Sequence, residues 1–436
     1  MGDTLFPVPE GAHAEKPAGS KRPSARLVYA DRRQILLRPS DLESLLPADH
    51  RARVVWGFVS KLDLSAFHER IASREGAAGR PSFDPAVVLT LWIFATLEGV
   101  GSARALARLC EEHDAYRWVC GGLTISAHVL SDFRVDRGAE LDALMTQIVG
   151  SLLAAGAVTM ERVAQDGMKV RAAAGAASFR RKETLKRCLT EAREQVEALK
   201  KELDDAPDAG ERRSRLAKER AAKDLERRVT DALAQWDEAA AHSSAPKDKK
   251  DEKVRVSTTD ADARVMKMGD GGFRPALNAQ LSTDVKSQVI TGLRLTNSGG
   301  DMGQMPPMLE DLQRRYGRVP AQYLVDGGFV KHQAIEDAAA KGVAVYAPVP
   351  EKGAASPERQ NDGAGQKAWR ARMTTPEAKE IYKERAATAE CVNALARNRG
   401  LTCFVVRGIA KCTAVLTLFA VAHNVMRAVE LLGRAG

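Results

Sequence analysis

Apolar residues spaced alternately four and three positions apart constrain the fold of the middle of the chain. The series comprises Leu185, Leu189, Ala192, Val196, Leu199 and Leu203. Apolar residues of this period form the seam along which one helix packs on another. Residues 204–210 include a proline and a glycine, which end a helix, and the same spacing resumes over residues 225–239. The sequence therefore predicts an antiparallel helical hairpin, inserted over residues 183–252.

Length and composition bound the class of protein. A chain of 436 residues is long enough for two or three domains. Lys and Arg number 66 against 57 Asp and Glu, a net charge of +9, which favours an anionic partner such as nucleic acid. The six cysteines form no C-x-x-C pair and are too sparse for a disulfide framework, so we expect reduced thiols and a cytoplasmic protein.

Two further features bear on membranes and secretion. The N-terminus lacks a charged segment followed by an apolar one, so secretion is not expected. The most apolar segment, residues 414–422, is too short to span a bilayer. We therefore expect no membrane partner.

The first part of the chain is predicted to be helical. Residues 1–34 are rich in Pro, Gly, Ala and charge and are expected to form a disordered arm, whereas residues 35–156 have helical patterns. Two short helices, over 102–109 and 125–134, allow a helix-turn-helix interpretation. An ordinary helical bundle with solvated arginines is the alternative. In the first interpretation the residues facing DNA are Arg104, Arg108, His128 and Arg134.

Three acids in the remaining chain could act together. Asp166 lies in a short strand pattern over 162–170, and Asp326 ends the buried strand pattern of 323–325. Glu390 lies in a helical run. Three carboxylates from two strands and a helix could hold two divalent cations for phosphodiester chemistry, because hard cations prefer carboxylate oxygens. The alternative is two solvated turns and a solvated helix face. The helical run with Glu390 also carries Tyr382, Arg385 and Arg397.

The order of predicted elements favours an α/β fold. The strand with Asp166 and the helical insertion are followed by two strands, a helix, the strand with Asp326, a helix, a strand and the helix with Glu390. This mixed order is compatible with an RNase H-like sheet flanked by helices. Asp284 and Asp301 are competing acids, of which Asp301 is predicted to cap a helix. No H-E-x-x-H, P-loop or G-x-S-x-G motif occurs, which argues against a zinc protease, a nucleotide hydrolase and a serine hydrolase.

The chain resembles the bacterial insertion-sequence transposases of the DDE type, in the RNase H-like superfamily. The resemblance covers residues 35–432. It implies an RNase H-like mixed-sheet catalytic domain over 157–436, which carries the helical insertion and is preceded by an all-α DNA-binding domain. The motifs that carry it are Gln165-Asp166-Gly167, Leu324-Val325-Asp326-Gly327-Gly328-Phe329, Tyr382-x-x-Arg385 with Glu390 and Arg397, and His423-Asn424. Many relatives carry Lys at the position of Arg397.

The resemblance implies roles for these residues. Asp166, Asp326 and Glu390 would be the catalytic triad and the ligands of Mg²⁺, with Mn²⁺ able to substitute. The residues accompanying the triad and contacting DNA would be Tyr382, Arg385 and Arg397.

The resemblance also implies a reaction and its partners. The protein would bind the terminal inverted repeats of its mobile element, cut phosphodiester bonds and join the ends to target DNA. It would work at the nucleoid in the cytoplasm, as a homodimer or larger assembly on double-stranded DNA. A catalytically inactive remnant that still binds its repeats is one alternative, and a scaffold that dimerises through the hairpin is another. For the hairpin itself, a solvated arm, dimerisation and DNA clamping all stay open.

Overall fold

The computed structural model describes residues 41–74, 76, 81–204, 209–241, 246, 250–350 and 362–433. Leu42–Gly436 form one compact unit. The arm predicted over residues 1–34 lies outside the described residues.

Helices supply most of the described structure. Those of the N-terminal region are α1 (Arg51–Val59), α2 (Ser65–Glu69), α3 (Pro85–Leu97), α4 (Ala103–Glu112), α5 (Asp114–Cys120), α6 (Ala127–Asp136) and α7 (Gly138–Ala154). Those that follow are α8 (Lys182–Asp204), α9 (Ala209–Ala241), α10 (Lys250–Lys253), α11 (Met305–Tyr316), α12 (His332–Ala340), α13 (Ala364–Thr374), α14 (Pro376–Arg385), α15 (Cys391–Asn398) and α16 (Ile409–Gly433). A π-helical turn, Ala386–Glu390, joins α14 to α15.

The N-terminal helices surround α3. Asp84 caps α3 by accepting a hydrogen bond from the Ala86 amide, and Pro85 occupies its first turn. Nearly every side chain of α3 is buried, because the helix packs against α1, α5, α6 and α16. The structure adds one element to the helix-turn-helix interpretation: α5 lies between α4 and α6, with Tyr116 and Val119 buried in the core.

A mixed sheet forms the centre of the remaining chain. Its strands are β1 (Arg162–Arg171), β4 (Arg264–Lys267), β5 (Phe273–Asp284), β6 (Ile290–Thr296), β7 (Gln322–Leu324) and β8 (Ala344–Tyr346), and a separate pair is formed by β2 (Phe179–Arg180) and β3 (Val256–Ser257). The long strand β5 runs antiparallel to β1, β4 and β6, whereas β7 is parallel to β1 and β8 is parallel to β7. The predicted mixed α/β class is confirmed.

The last helix joins the two parts of the chain in one core. The side chain of Asn424 accepts from the Ile290 amide at 2.9 Å and donates to the Ile290 carbonyl at 2.8 Å, which fixes α16 on β6. The other side of α16 contacts α3 and α7. The predicted domain boundary between residues 156 and 157 falls between α7 and β1, where one hydrophobic core continues across both regions.

The apolar segment 414–422 belongs to a longer helix than its composition indicated. By length and composition, α16 could cross a membrane. However, 67% of the most apolar 18-residue stretch of this helix is buried inside the protein, as is usual for a core helix. The nine residues of this segment are too few to span a bilayer by themselves, but the helix that contains them extends over 25 residues. The prediction was therefore wrong because it considered only the apolar segment.

The insertion contains two antiparallel helices, α8 and α9. Lys182 near the start of α8 pairs with Asp237 near the end of α9, and Arg193 pairs with Glu226 between them. The apolar seam between the helices includes Leu185, which is fully buried. The seam predicted from the four-and-three spacing is thus the surface on which these helices pack.

Candidate functional site

Asp166 and Asp326 occupy equivalent positions on adjacent parallel strands. Ala164 of β1 is paired with Leu324 of β7. Asp166 lies two residues after Ala164, and Asp326 lies two residues after Leu324. Neighbouring strands lie about 4.8 Å apart, and side chains two residues apart point to the same face. The two carboxylates therefore lie side by side on one face, where β7 ends and this edge of β1 becomes open.

The sequence around Asp326 explains how the acid is held. Tyr323 and Val325 are fully buried, which fixes the strand. The Asp326 carboxylate then accepts a hydrogen bond from the Gly328 amide at 2.7 Å and starts a single 3₁₀ turn, Gly327–Phe329. Because Phe329 is also fully buried, the chain is anchored on both sides of the half-buried acid.

Asp166 is largely buried, with 17% of its side chain exposed. One carboxylate oxygen accepts from the Gly167 amide and the other from the Asn393 side chain, both at 2.9 Å. Burial raises the pKa of Asp166 to about 6, although the Arg385 guanidinium and the Gly167 hydrogen bond act in the opposite direction. The charges of Asp326 and Asp301 add to the rise of this pKa. The carboxyl group therefore lies in an environment that disfavours its own charge, as expected where a cation is to be bound.

The π turn brings Glu390 to this site. A π turn closes its hydrogen bonds over five residues, so Arg385 and Glu390 lie on the same side; in an α-helix they would be about 140° apart. The Arg385 guanidinium donates to Glu390 at 3.1 Å and lies 3.9 Å from Asp166. Glu390 is 59% exposed, whereas Arg385 is only 14% exposed. Arg385 therefore links two of the three predicted acids.

Small residues let this helical run approach the sheet closely. Ala378 of α14 and Ala389 of the π turn pack against Ala164 and Leu324, directly beside the acids. Tyr382 is partly buried in the same cluster, and its ring lies 5.9 Å from the Arg385 guanidinium. Burial raises the pKa of Tyr382, against the effect of Arg385.

Asn393 was not predicted from the sequence. It is buried, lies three residues after Glu390 and contacts Asp166 directly. A helix places residues three apart on one face, so a polar residue at this spacing from the acid was a usable signal.

Asp301 is not a helix cap, which corrects the prediction. Its side chain accepts hydrogen bonds from Asn278 at 2.8 Å and Gln280 at 2.6 Å, both on β5. It also lies so close to Gly167 that a Cβ atom there would be 2.2 Å from the Asp301 carboxylate. The helix α11 begins without a side-chain cap. Asp301 thus packs against the strand of Asp166, on the opposite face of the sheet.

Asp284, the other competing acid, is fully engaged in the fold. It is 1% exposed and accepts hydrogen bonds from the Met160 amide and from both the amide and hydroxyl of Ser287. These contacts anchor the chain before β1 and the turn between β5 and β6. Asp284 therefore has a structural role.

The four N-terminal residues predicted to face DNA do not share one environment. Arg104, Arg108 and His128 are exposed on α4 and α6, and Arg108 pairs with Glu112. Arg134 is 4% exposed, lies over the ring of Trp92 at 4.4 Å and donates to the Gly101 carbonyl. The prediction that Arg134 faces DNA is therefore corrected: its guanidinium packs inside the helical region.

Arg397 lies on α15, one turn beyond Asn393, and is exposed. It borders an open cavity of about 650 Å³ together with Gly167, Lys169 and Arg171 of β1. The cavity thus starts at Gly167 and continues along the face of β1 opposite Asp166.

The acids do not form a ready-made three-ligand cluster. Among the described residues, no group of three or more His, Cys, Asp or Glu side chains is arranged to hold a metal ion. Asp166 and Asp326 supply two neighbouring carboxylates of the oxygen type that Mg²⁺ prefers, while Glu390 reaches Asp166 only through Arg385. The residues present therefore fit a divalent cation at the two aspartates, with Arg385 between Asp166 and Glu390.

Two family models match the chain. The model described as "Transposase domain (DUF772)" matches residues 40–136, and the model described as "Transposase DDE domain" matches residues 356–429. The first match includes the helices α4 and α6, and the second includes Arg385, Glu390 and Arg397. Comparison with the curated proteins and with the solved structures finds no match.

Proposed function

We propose that this chain, which belongs to the DDE transposases of insertion sequences, binds the terminal inverted repeats of its element, cuts the DNA there and joins the ends to a target. Asp166, Asp326 and Glu390 are the proposed catalytic residues. The observation that carries this proposal is the equivalent position of the two aspartates on adjacent strands, with the Arg385–Glu390 pair beside them.

We propose an RNase H-like arrangement for residues 157–436. Its support is the strand order β6-β5-β1-β7-β8, in which the first three strands are antiparallel and the last two are parallel to β1. Helices cover both faces of this sheet: α11 packs on one face, and α16 with the π turn packs on the other. In this arrangement the acids lie at the carboxyl end of β7, where ligands are bound in many open α/β sheets.

The proposed cofactor is Mg²⁺, for which Mn²⁺ can substitute. Asp166 and Asp326 would hold it and Glu390 would complete the site. When bound, divalent cations activate water and stabilise the charge that develops on the phosphate oxygens. Asn393 fixes the orientation of Asp166 by its hydrogen bond, and the largely buried Arg385 supplies positive charge between Asp166 and Glu390. Both residues keep the carboxylates in place before DNA arrives.

Positive groups around the acids suit a DNA substrate. Arg385 and Arg397 are proposed to contact phosphates by charge-assisted hydrogen bonds, and Tyr382 to contact a nucleotide at the cut. The N-terminal helices are proposed to bind the repeats through Arg104, Arg108 and His128, the three exposed members of the predicted set. Assembly as a dimer or larger complex on DNA is part of the same proposal.

The test is cleavage of DNA that carries the inverted repeats flanking the element, with Mg²⁺ or Mn²⁺. The wild-type protein is compared with Asp326→Ala and with Glu377→Gln, a control on an exposed acid at the start of α14. We expect cleavage by the wild type and the control, and none by Asp326→Ala, with equal DNA binding by all three.

Two outcomes would contradict the proposal. Equal cleavage by Asp326→Ala would remove Asp326 from the catalytic residues. Specific binding of the repeats without cleavage by either protein would favour the alternative, a catalytically inactive remnant that retains recognition of its repeats.

A further inference from the structure

We infer that strand β1 is itself a DNA-binding element: Lys169 and Arg171, next to Arg397, form a track for the phosphodiester backbone on the face of the strand opposite Asp166. These three residues are called the β1 cation track. This inference rests on the proposed function for the identity of the polyanion, and it adds two phosphate-binding residues that follow the first acid on the same strand.

The first observation is that the three cations border one cavity. Lys169, Arg171 and Arg397 line the same open space of about 650 Å³, which begins at Gly167, the neighbour of Asp166. Lys169 and Arg171 are two positions apart on a strand and therefore point to the same face, which is the face of Gly167 and Asp301 and is opposite to that of Asp166. Their separation along the strand is about 6.7 Å, twice the roughly 3.4 Å axial spacing of phosphates on one DNA strand.

The second observation is that these cations have no internal counter-charge. In the described part of the chain, no carboxylate oxygen lies within 4 Å of the charged groups of Lys169, Arg171 or Arg397. Many other arginines of the protein are paired; Arg274 in the same cavity, for example, is held by Asp270 at 2.8 Å. The side chains of the track are thus free to neutralise an external anion.

The two acids that border the cavity, Asp301 and Asp270, are already engaged. Asp301 accepts hydrogen bonds from Asn278 and Gln280, two fully buried amides of β5. Asp270 is likewise occupied by Arg274. With four basic and two acidic side chains around the cavity, the local charge stays positive.

The third observation is the rigidity of the track. The Arg171 amide donates to the Thr402 carbonyl at 3.2 Å, and the Arg171 carbonyl accepts from the Phe404 amide at 2.8 Å. The segment after α15 therefore extends the sheet beside β1 and ties the helix of Arg397 to the strand of Arg171. Cations on a fixed framework lose less entropy on binding than cations on a mobile loop.

The chemistry favours a nucleic-acid backbone over a small anion. Three cations spread along an open cavity match a line of phosphates, whereas a single anion needs donors that converge on one point. The cavity is open, and most of the residues that line it are polar or charged. Contacts of this kind would position DNA without reading its sequence.

The test measures how DNA affinity depends on salt, in full-length protein that carries Asp326→Ala and without divalent metal. The probes are a duplex with the element end and a duplex of unrelated sequence, which separate the element from the target as the source of the phosphates. In the Lys169→Gln/Arg171→Gln double variant we expect the slope of log K against log[salt] to fall by about 0.9 for each lost duplex phosphate contact, or by about 1.8 in all. The probe whose slope falls identifies the bound DNA.

Two variants serve as controls. Arg318→Gln removes an exposed cation that precedes β7, at the opposite end of that strand from Asp326, and should leave the slope unchanged. The Lys169→Arg/Arg171→Lys variant keeps both charges and should retain the wild-type slope, which shows that the effect is due to charge.

A wild-type slope on both probes in a folded Gln double variant would overturn the track. Because no cleavage is measured, this result is independent of the cleavage test. If the wild-type protein cuts DNA but the double variant shows no change of slope, the track alone is contradicted. If the wild-type protein never cuts DNA but the slope changes, the proposed reaction alone is contradicted.

Discussion

Asn393 donates its side-chain N–H to the carboxylate of Asp166 at 2.9 Å, across 227 positions of sequence. Both side chains are largely buried, and the other Asp166 oxygen is held by the Gly167 amide. The acid is therefore fixed from the strand on one side and from α15 on the other. Asn393 also lies three residues after Glu390, so the same helical segment that presents Glu390 orients Asp166. In the proposed function, this contact makes Asn393 a positioning residue.

Replacing Asn393 should weaken the proposed metal site without removing any carboxylate. We expect Asn393→Ala to lower activity about 10- to 100-fold, the usual effect of removing a group that orients a metal ligand. The Mg²⁺ concentration for half-maximal cleavage should rise, which a purely structural defect would not cause. Asn398→Ala, at the exposed end of α15, is the control. An unchanged Mg²⁺ dependence in Asn393→Ala would exclude the positioning role.

Burial of Asp166 should destabilise the folded protein at neutral pH. The rise of its pKa from 3.8 to about 6 means that the folded state binds the proton more tightly than the unfolded state. Stability therefore falls as the pH rises through this interval, by a total of roughly 3 kcal/mol. We expect Asp166→Asn to raise the free energy of unfolding at pH 7 by up to about this amount in the absence of metal, while abolishing cleavage.

The pH dependence identifies the cause of that effect. The gain from Asp166→Asn should be nearly complete above about pH 7 and disappear below about pH 3, where the wild-type carboxyl group is protonated in both states. Glu390→Gln is the comparison, since Glu390 is 59% exposed and already solvated. Denaturant unfolding at several pH values measures both. A stabilisation by Asp166→Asn that is the same at pH 4 and pH 7 would disagree with this account.

The strands around the acids could be predicted because their sequence patterns are strong. The apolar run of residues 323–325 ends in an acid and two glycines, and the structure has a buried strand that ends in a turn at that point. The pairing of Ala164 with Leu324 could not be predicted, because it depends on contacts between segments that are far apart in the sequence. It is this register that places Asp166 beside Asp326.

Other features were missed because they depend on burial. Gln280 alternates with apolar residues on β5, which resembles a solvent-exposed polar face, yet it is fully buried and bonded to Gln165 and Asp301. Arg134 has the spacing of a solvated helix residue but covers Trp92. In both cases a neighbouring element, not the local sequence, supplies the partner that makes burial of a polar group tolerable.

The π turn should tolerate the loss of one residue. Deleting the exposed Ala387 would convert the π turn into an α-helical turn. Arg385 and Glu390 would then be four positions apart, and residues at that spacing are neighbours on an α-helix. We expect the deletion variant to fold and to retain cleavage. Deleting Ala394 from the regular helix α15 should instead rotate Arg397 by about 100° and reduce activity. Thermal unfolding and cleavage measure both. Loss of activity on deletion of Ala387 would show that the π turn itself is required.

Glycine at position 167 should be required by the close approach of Asp301. A Cβ atom there would lie 2.2 Å from an Asp301 carboxylate oxygen and 2.5 Å from the Gln280 amide nitrogen, distances at which the neighbours must move. Gly167→Ala should therefore reduce stability by about 1–3 kcal/mol and shift the adjacent Asp166, with reduced cleavage.

A matched control and a second substitution test the cause of that loss. At Gly175 an added Cβ meets no atom within 4 Å, so Gly175→Ala should change the free energy of unfolding by less than about 0.5 kcal/mol. Asp301→Ala removes the nearest clashing group, so Gly167→Ala should cost less in that background than in the wild type. Denaturant unfolding of the four members of this cycle gives the coupling energy between the two positions. A coupling energy of zero would mean that Asp301 does not set the requirement for glycine at 167.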